Sequence, residues 1–118
     1  MQPAANKQGT GIVIVTQDAV LAHGLQAMIH AEFTDQSIAT RAFLLDLWSY
    51  LRSELPYIVL VDDRQLTIVA LVSEVSELCA AYPDLRLVVI SQRLYLPYIQ
   101  DLLGAGVKGF AYRDDIDT

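Results

Sequence analysis

The sequence predicts an α/β domain: a doubly wound, five-stranded parallel sheet between helices, in three layers. Three observations carry this. Five short runs rich in aliphatic and β-branched residues lie between residues 11 and 112 and alternate with segments whose apolar residues recur at helical spacing. The runs around Val13, Val59 and Val89 are apolar without alternation, as expected of strands buried on both faces. A chain of 118 residues is long enough for one core and too short for two domains of ordinary size. Right-handed crossovers then fix the hand of the fold.

The elements follow in order. Residues 1–10 (MQPAANKQGT) are small and polar and read as a flexible leader, with the domain over 11–118. Gly11–Val15 is the first strand. Asp18 can cap the next segment, where Val20, Leu21, Gly24, Leu25, Met28 and Ile29 mark a helix to about Ala31. A weaker strand, Gln36–Thr40, leads to a helix over Arg41–Leu55 with the stripe Phe43, Leu44, Leu47, Trp48 and Leu51, ended by Pro56. Tyr57–Val61 is the third strand and delivers Asp62 and Asp63 at its carboxyl end. Thr67 caps a third helix carrying Val69, Val72, Val75, Leu78 and Cys79, closed by Tyr82-Pro83-Asp84. Leu85–Ile90 is the fourth strand and ends at Ser91; Pro97 suits the first turn of a short fourth helix that runs to about Leu103. Val107–Tyr112 is the fifth strand, and Arg113-Asp114-Asp115-Ile116 gives no more than the first turn of a truncated fifth helix.

Composition removes several classes of function. Lys and Arg total 8 against 14 Asp and Glu, a net charge of -6, which argues against a surface that gathers nucleic-acid phosphates. No apolar stretch reaches the roughly 20 residues of a spanning helix, so no membrane role is expected. Without a signal-peptide pattern, and with Cys79 as the single cysteine, the cytoplasm is the expected location. His23 and His30 lack a third ligand, and Cys79 lacks an activating neighbour in sequence, so neither is assigned chemistry. Trp48, Tyr50, Tyr95 and Tyr98 read as packing residues.

In a doubly wound sheet the functional crevice lies beyond the carboxyl ends of the strands, where the strand order reverses. That rule selects Thr16, Gln17, Asp18, Asp62, Asp63, Ser91 and Arg113. Asp18, just before a helical stripe, is read as an N-cap.

Tyr57–Asp62, Pro83–Ser91 and Ala105–Asp114 together resemble the response-regulator receiver family over nearly all of residues 10–117. Val88-Val89-Ile90-Ser91 and Ala105-Gly-Val-Lys-Gly-Phe-Ala-Tyr-Arg-Asp114 are the most telling parts. The chain looks most like receivers that precede a helix-turn-helix output domain. The resemblance implies a flavodoxin-like sheet in the order 2-1-3-4-5, and a longer parent protein. It places Asp62 at the phosphoacceptor position, Ser91 at the switch hydroxyl, Phe110 at the switch aromatic and Arg113 in place of the usual lysine. By the same resemblance Tyr98, Asp101 and Tyr112, with Phe110, fall on the face that meets partners or a second copy.

The chemistry explains the company these residues keep. A carboxylate attacks a phosphoryl group while Mg²⁺ and a cation neutralise the transferred oxygens. Mg²⁺ asks for hard oxygen ligands in near-octahedral array, and the family supplies two from an acidic pair after the first strand. Here that pair aligns with the uncharged Thr16 and Gln17. Arg64 adds a positive charge where the ion would sit, and Arg113 offers a guanidinium fork rather than a mobile ammonium. At most weak Mg²⁺ binding and no metal site is therefore expected, with a pocket rebuilt around an Asp62–arginine pair.

The resulting expectation is a receiver or pseudo-receiver domain, not an enzyme, switching by phosphorylation of Asp62 or, with the metal site lost, by protein contacts. Its expected partners are a histidine kinase or another signalling protein and a second copy in a homodimer. A constitutive dimerisation or scaffold domain is the alternative. A small flavodoxin-like cofactor binder fits less well, because Thr16-Gln17-Asp18-Ala19 stands where a glycine-rich phosphate loop would follow the first strand.

Overall fold

A computed structural model describes residues 11–116; the expected leader over 1–10 lies outside the described residues. Five strands, β1 (Ile12–Val15), β2 (Ile38–Arg41), β3 (Ile58–Asp62), β4 (Leu87–Ser91) and β5 (Gly109–Tyr112), form one parallel sheet in the order β2-β1-β3-β4-β5. Between them run α1 (Ala19–Glu32), α2 (Leu44–Leu51), α3 (Ile68–Ala81) and α4 (Leu96–Gly104), and a single turn, α5 (Arg113–Ile116), follows β5. The expected fold class, strand order and short fifth helix are all present.

Alternation along the strands sorts the core into two layers. Val13, Val15, Val59, Val61, Leu87 and Val89 face one side, where they pack with Leu47 and Leu51 of α2, Leu71, Val75 and Leu78 of α3, and Tyr98 and Leu102 of α4. Ile12, Ile14 and Ile90 face the other and pack with Leu21 and Leu25 of α1; Leu60, Ala111 and Ile116 of α5 are only partly buried there. Three helices thus cover one face, and α1 with the α5 turn lies on the other. Gly106 makes the turn into β5 at φ +110°, and a Cβ there would stand 2.8 Å from that of Cys79, so glycine serves both the backbone and the close approach.

Some boundaries differ from expectation. Arg41 belongs to β2, not to the helix after it: it pairs with Val15, and its carbonyl accepts the Thr16 N–H at 2.9 Å, which prolongs the ladder by one bond. α2 accordingly begins at Leu44, and Phe43 sits at its N-cap in extended conformation, 56 % exposed rather than in the core stripe. The helix ends at Leu51, not Leu55. Val20, Met28 and Val69 match helical spacing yet point outward. Val69 precedes the buried Leu71 by two residues, about 200° around a helix, so it must face solvent.

Candidate functional site

The parallel sheet brings its carboxyl ends together at the point where strand order reverses between β1 and β3. Asp62 is the last residue of β3, Thr16 follows β1, Ser91 ends β4 and Arg113 follows β5. Strand pairing fixes the register, with Asp62 beside Ile90 and Ser91 beside Tyr112. Thr16, Asp62, Asp63, Ser91 and Arg113 are all buried.

Asp62 Oδ2 is the hub. The Thr16 hydroxyl donates to it at 2.7 Å, Arg64 Nε and Nη2 at 3.3 Å each, and Arg113 Nη1 lies 3.5 Å away. Asp62 Oδ1 accepts the Arg64 backbone N–H at 3.2 Å. The same two arginines meet on Asp18: its Oδ2 accepts from Arg64 Nη2 at 2.7 Å and from Arg113 Nη2. Two carboxylates and two guanidiniums therefore close into one charge-balanced group. Hydrogen bonding to Arg64, then to the Leu21 backbone N–H, holds the Asp18 carboxyl well below the usual carboxylate range, outweighing the opposing effect of burial. The Arg64 guanidinium in turn is held above its ordinary value: partial burial works against this, and the bonds to Asp18 and Asp62 outweigh it.

Asp18 is the residue that sequence reasoning assigned too small a part. It does cap α1, its Oδ1 accepting from Val20 N at 2.9 Å and Leu21 N at 3.2 Å. Its second oxygen is nevertheless a full member of the Asp62 cluster. The signal available was position: a cap residue three places beyond a central strand lies on the crevice by construction.

A second cluster lies beside the first. Asp63, 1 % exposed, accepts the Tyr98 hydroxyl at 2.7 Å and has Arg93 Nη1 at 3.7 Å. Arg93 also donates to the Leu66 carbonyl at 2.8 Å and lies 6.0 Å from the Tyr98 ring, which meets Phe110 edge to face at 6.4 Å. Burial, then the Asp63 hydrogen bond, pushes the Tyr98 phenol far above its ordinary value. Ser91 Oγ accepts the Arg93 N–H at 2.8 Å, so its hydroxyl is tied to its own loop.

Of the residues expected on a partner face, Asp101 is exposed, and Phe110 and Tyr112 are partly buried, Tyr112 donating to Asp114 at 3.0 Å. Tyr98 is a correction: at 1 % exposed it cannot touch a partner, because its ring fills the space between α4 and the sheet and its hydroxyl serves Asp63. Gln17 is exposed at the rim of the crevice.

The residues around Asp62 do not fit Mg²⁺. The ion needs several oxygens with free lone pairs. Here Asp62 Oδ2 already accepts from a hydroxyl and a guanidinium, and both neighbouring cations would repel a divalent ion. No group of three or more His, Cys, Asp or Glu is placed to hold a metal among the described residues.

No protein-family model matches the sequence, and no curated protein matches it. Solved structures do match. A response regulator from Thermotoga maritima superposes with a TM-score of 0.77 at 13 % identity, over 88 % of this chain and 84 % of that one. A LuxR family DNA-binding response regulator from Silicibacter pomeroyi gives 0.74 at 19 % identity, over 88 % and 79 %. A CheY-like response regulator receiver domain protein from Methanospirillum hungatei JF-1 gives 0.73 at 16 % identity, over 92 % and 88 %. The fold of this chain is that of response-regulator receiver domains.

Proposed function

We propose that this chain is a receiver-type signalling module whose acidic pocket is balanced internally by arginines, and that it conveys its state through protein contacts rather than Mg²⁺-dependent phosphorylation. The observation that supports this most is the sharing of Asp62 Oδ2 among Thr16, Arg64 and Arg113. Phosphoryl transfer to a carboxylate needs positive charge on the incoming phosphoryl oxygens and a free oxygen to attack with. In this pocket the positive charge is spent on the carboxylate itself. The likeness of the fold to response regulators supports the signalling role. On this reading the domain is not an enzyme, and its partners are a histidine kinase or another signalling protein and a second copy of itself.

Exposed Leu94, Tyr95 and Leu96 at the start of α4, with Leu103 further along it, favour the homodimer and keep a constitutive dimerisation role as the second reading. That role predicts that Asp62→Ala alters neither assembly nor output.

The deciding experiment is intact-protein mass after incubation with Mg²⁺ and acetyl phosphate, comparing wild type with Asp62→Ala. No adduct on either protein is the expected result. A phosphate adduct confined to wild type overturns the metal-independent reading and makes Asp62 a working phosphoacceptor.

A further inference from the structure

A cavity of about 450 Å³ opens beside Asp62 between α2 and α3. Phe43, Leu45 and Trp48 form one wall and Leu66 and Ala70 the other, and the cavity ends against Thr16 and Asp62 at the tips of β1 and β3. Ala70, Glu74 and Glu77 recur at i, i+4 and i+7, which puts all three on the face of α3 that looks into the groove. Phe43 and Leu45 are 56 % and 76 % exposed, an apolar mouth on a molecule whose α2 otherwise buries Leu44, Leu47 and Leu51. Trp48 is braced from behind by Tyr82, ring centroids 6.0 Å apart, so this wall is preformed.

The charge of the lining is one-sided. Asp62, Glu74 and Glu77 are its ionisable residues, without a Lys, Arg or His among them. Asp62 is matched by Arg64 and Arg113, whereas Glu74 and Glu77 take part in none of the ion pairs among the described residues. A concave apolar site with aromatic faces and two unmatched carboxylates is complementary to a molecule with a hydrocarbon body and a positive end.

We propose that this groove is a binding site for a small amphipathic amine, its apolar part against Phe43, Leu45 and Trp48 and its ammonium between Glu74 and Glu77. A small molecule is favoured over a partner helix because the volume of about 450 Å³ falls within the roughly 300–1,000 Å³ of small-molecule sites. Occupancy brings the ligand against Asp62, which both arginines contact. The site thereby gives the module an input other than a phosphoryl group.

The proposal is tested by titrating the protein with phenylbutylamine, and separately with phenylbutyrate, which has a comparable hydrocarbon body and the opposite charge. Trp48 fluorescence and the amide shifts of Phe43, Leu45 and Ala70 report occupancy. The expected result is saturable binding of the amine alone. It should weaken about tenfold in Glu74→Gln/Glu77→Gln, as two partly shielded ion pairs are lost, and disappear in Ala70→Phe, which fills the cavity. Comparable binding of amine and carboxylate, insensitivity to Glu74→Gln/Glu77→Gln, or shifts elicited by a basic amphipathic peptide but not by the amine would each overturn it. Binding is read from Trp48 and the groove, and the phosphoryl adduct from mass, so this proposal and the reading of Asp62 can fail separately.

Discussion

The Thr16 hydroxyl donates a hydrogen bond to Asp62 Oδ2 at 2.7 Å. At the tip of β1, where the receiver resemblance would place an acid, a neutral donor meets the carboxylate instead. The consequence is electrostatic. Acids crowded at one strand end repel one another and destabilise the fold unless a cation joins them. Here Arg64 and Arg113 join the Asp18 and Asp62 carboxylates, and Asp62 is stabilised by the protein's own groups.

Asp62→Ala is therefore expected to destabilise the domain, where in a crevice of unmatched acids the same change would relieve repulsion. It removes an acceptor from the Thr16 hydroxyl and a counter-charge from Arg113, which is 6 % exposed. Because Asp18 still pairs with Arg113, the expected cost is about 1–3 kcal/mol, less than for a fully orphaned charge. Urea denaturation of wild type, Asp62→Ala and Asp62→Asn measures it. A more stable alanine variant would contradict the described balance.

A cation site should be recoverable. Thr16→Asp/Gln17→Asp/Arg64→Asn adds two negative charges and removes one positive charge, lowering the local charge by three units. With two added carboxylates then beside Asp18 and Asp62 at the crevice, the variant should show a saturable Mg²⁺-dependent change in Trp48 fluorescence that wild type lacks. Trp48 is the single tryptophan and lines the cavity next to Asp62, so the signal is local.

Asp18 gives the stability a defined acid limb. Its folded carboxyl titrates below its unfolded value of 3.8 because of Arg64 and the cap N–H groups. A group lowered on folding contributes fully above the unfolded value, and the contribution is lost as pH falls through the folded one. Asp18→Asn keeps a capping side chain while removing the charge. Wild type should exceed Asp18→Asn in stability near neutral pH, and the gap should narrow between about pH 4 and pH 2. Urea midpoints of both proteins across that range give the answer, and a gap independent of pH would refute the ionic role of Asp18.

What the sequence revealed and what it hid divide along one line. The sheet was legible because β1, β3 and β4 are apolar on both faces, a pattern few other elements need. Asp62, Ser91 and Arg113 were legible because a strand end fixes a position in space. The errors concern side chains whose direction depends on neighbours distant in sequence. Phe43 fits a helical stripe, but Arg41 stays in β2 to pair with Val15 and delays the helix. Asp18 looked like a cap because the cap is local, whereas Arg113 reaches it across 95 residues of chain. Tyr98 fits packing by its helical spacing but a partner face by resemblance, and only the packed structure shows its hydroxyl on Asp63, 35 residues away.

That contact yields the last prediction. Asp63 is almost wholly enclosed, and its Oδ1 has no hydrogen-bond partner among the described residues, so Oδ2 carries the solvation of the carboxylate. Tyr98→Phe keeps the ring, its volume and its edge-to-face packing on Phe110 while deleting the 2.7 Å donor. What remains is Arg93 Nη1 at 3.7 Å, beyond hydrogen-bond range. A buried acceptor stripped of its donor costs about 1–3 kcal/mol, and that loss should appear in urea denaturation. The effect should also be directional. Arg93 links Asp63 to the Leu66 carbonyl and so ties the loop after β4 to the loop after β3. If Arg93 swings toward the stranded carboxylate to replace the lost donor, it leaves Leu66, and amides at the start of α4 should exchange faster than those of α1. A double-mutant cycle with Arg93→Gln separates the two contributions: a coupling above about 0.5 kcal/mol means that Tyr98 and Arg93 act on Asp63 as one unit. Additive losses, with unchanged exchange in α4, would mean that the two residues hold Asp63 independently and that no latch joins the two loops.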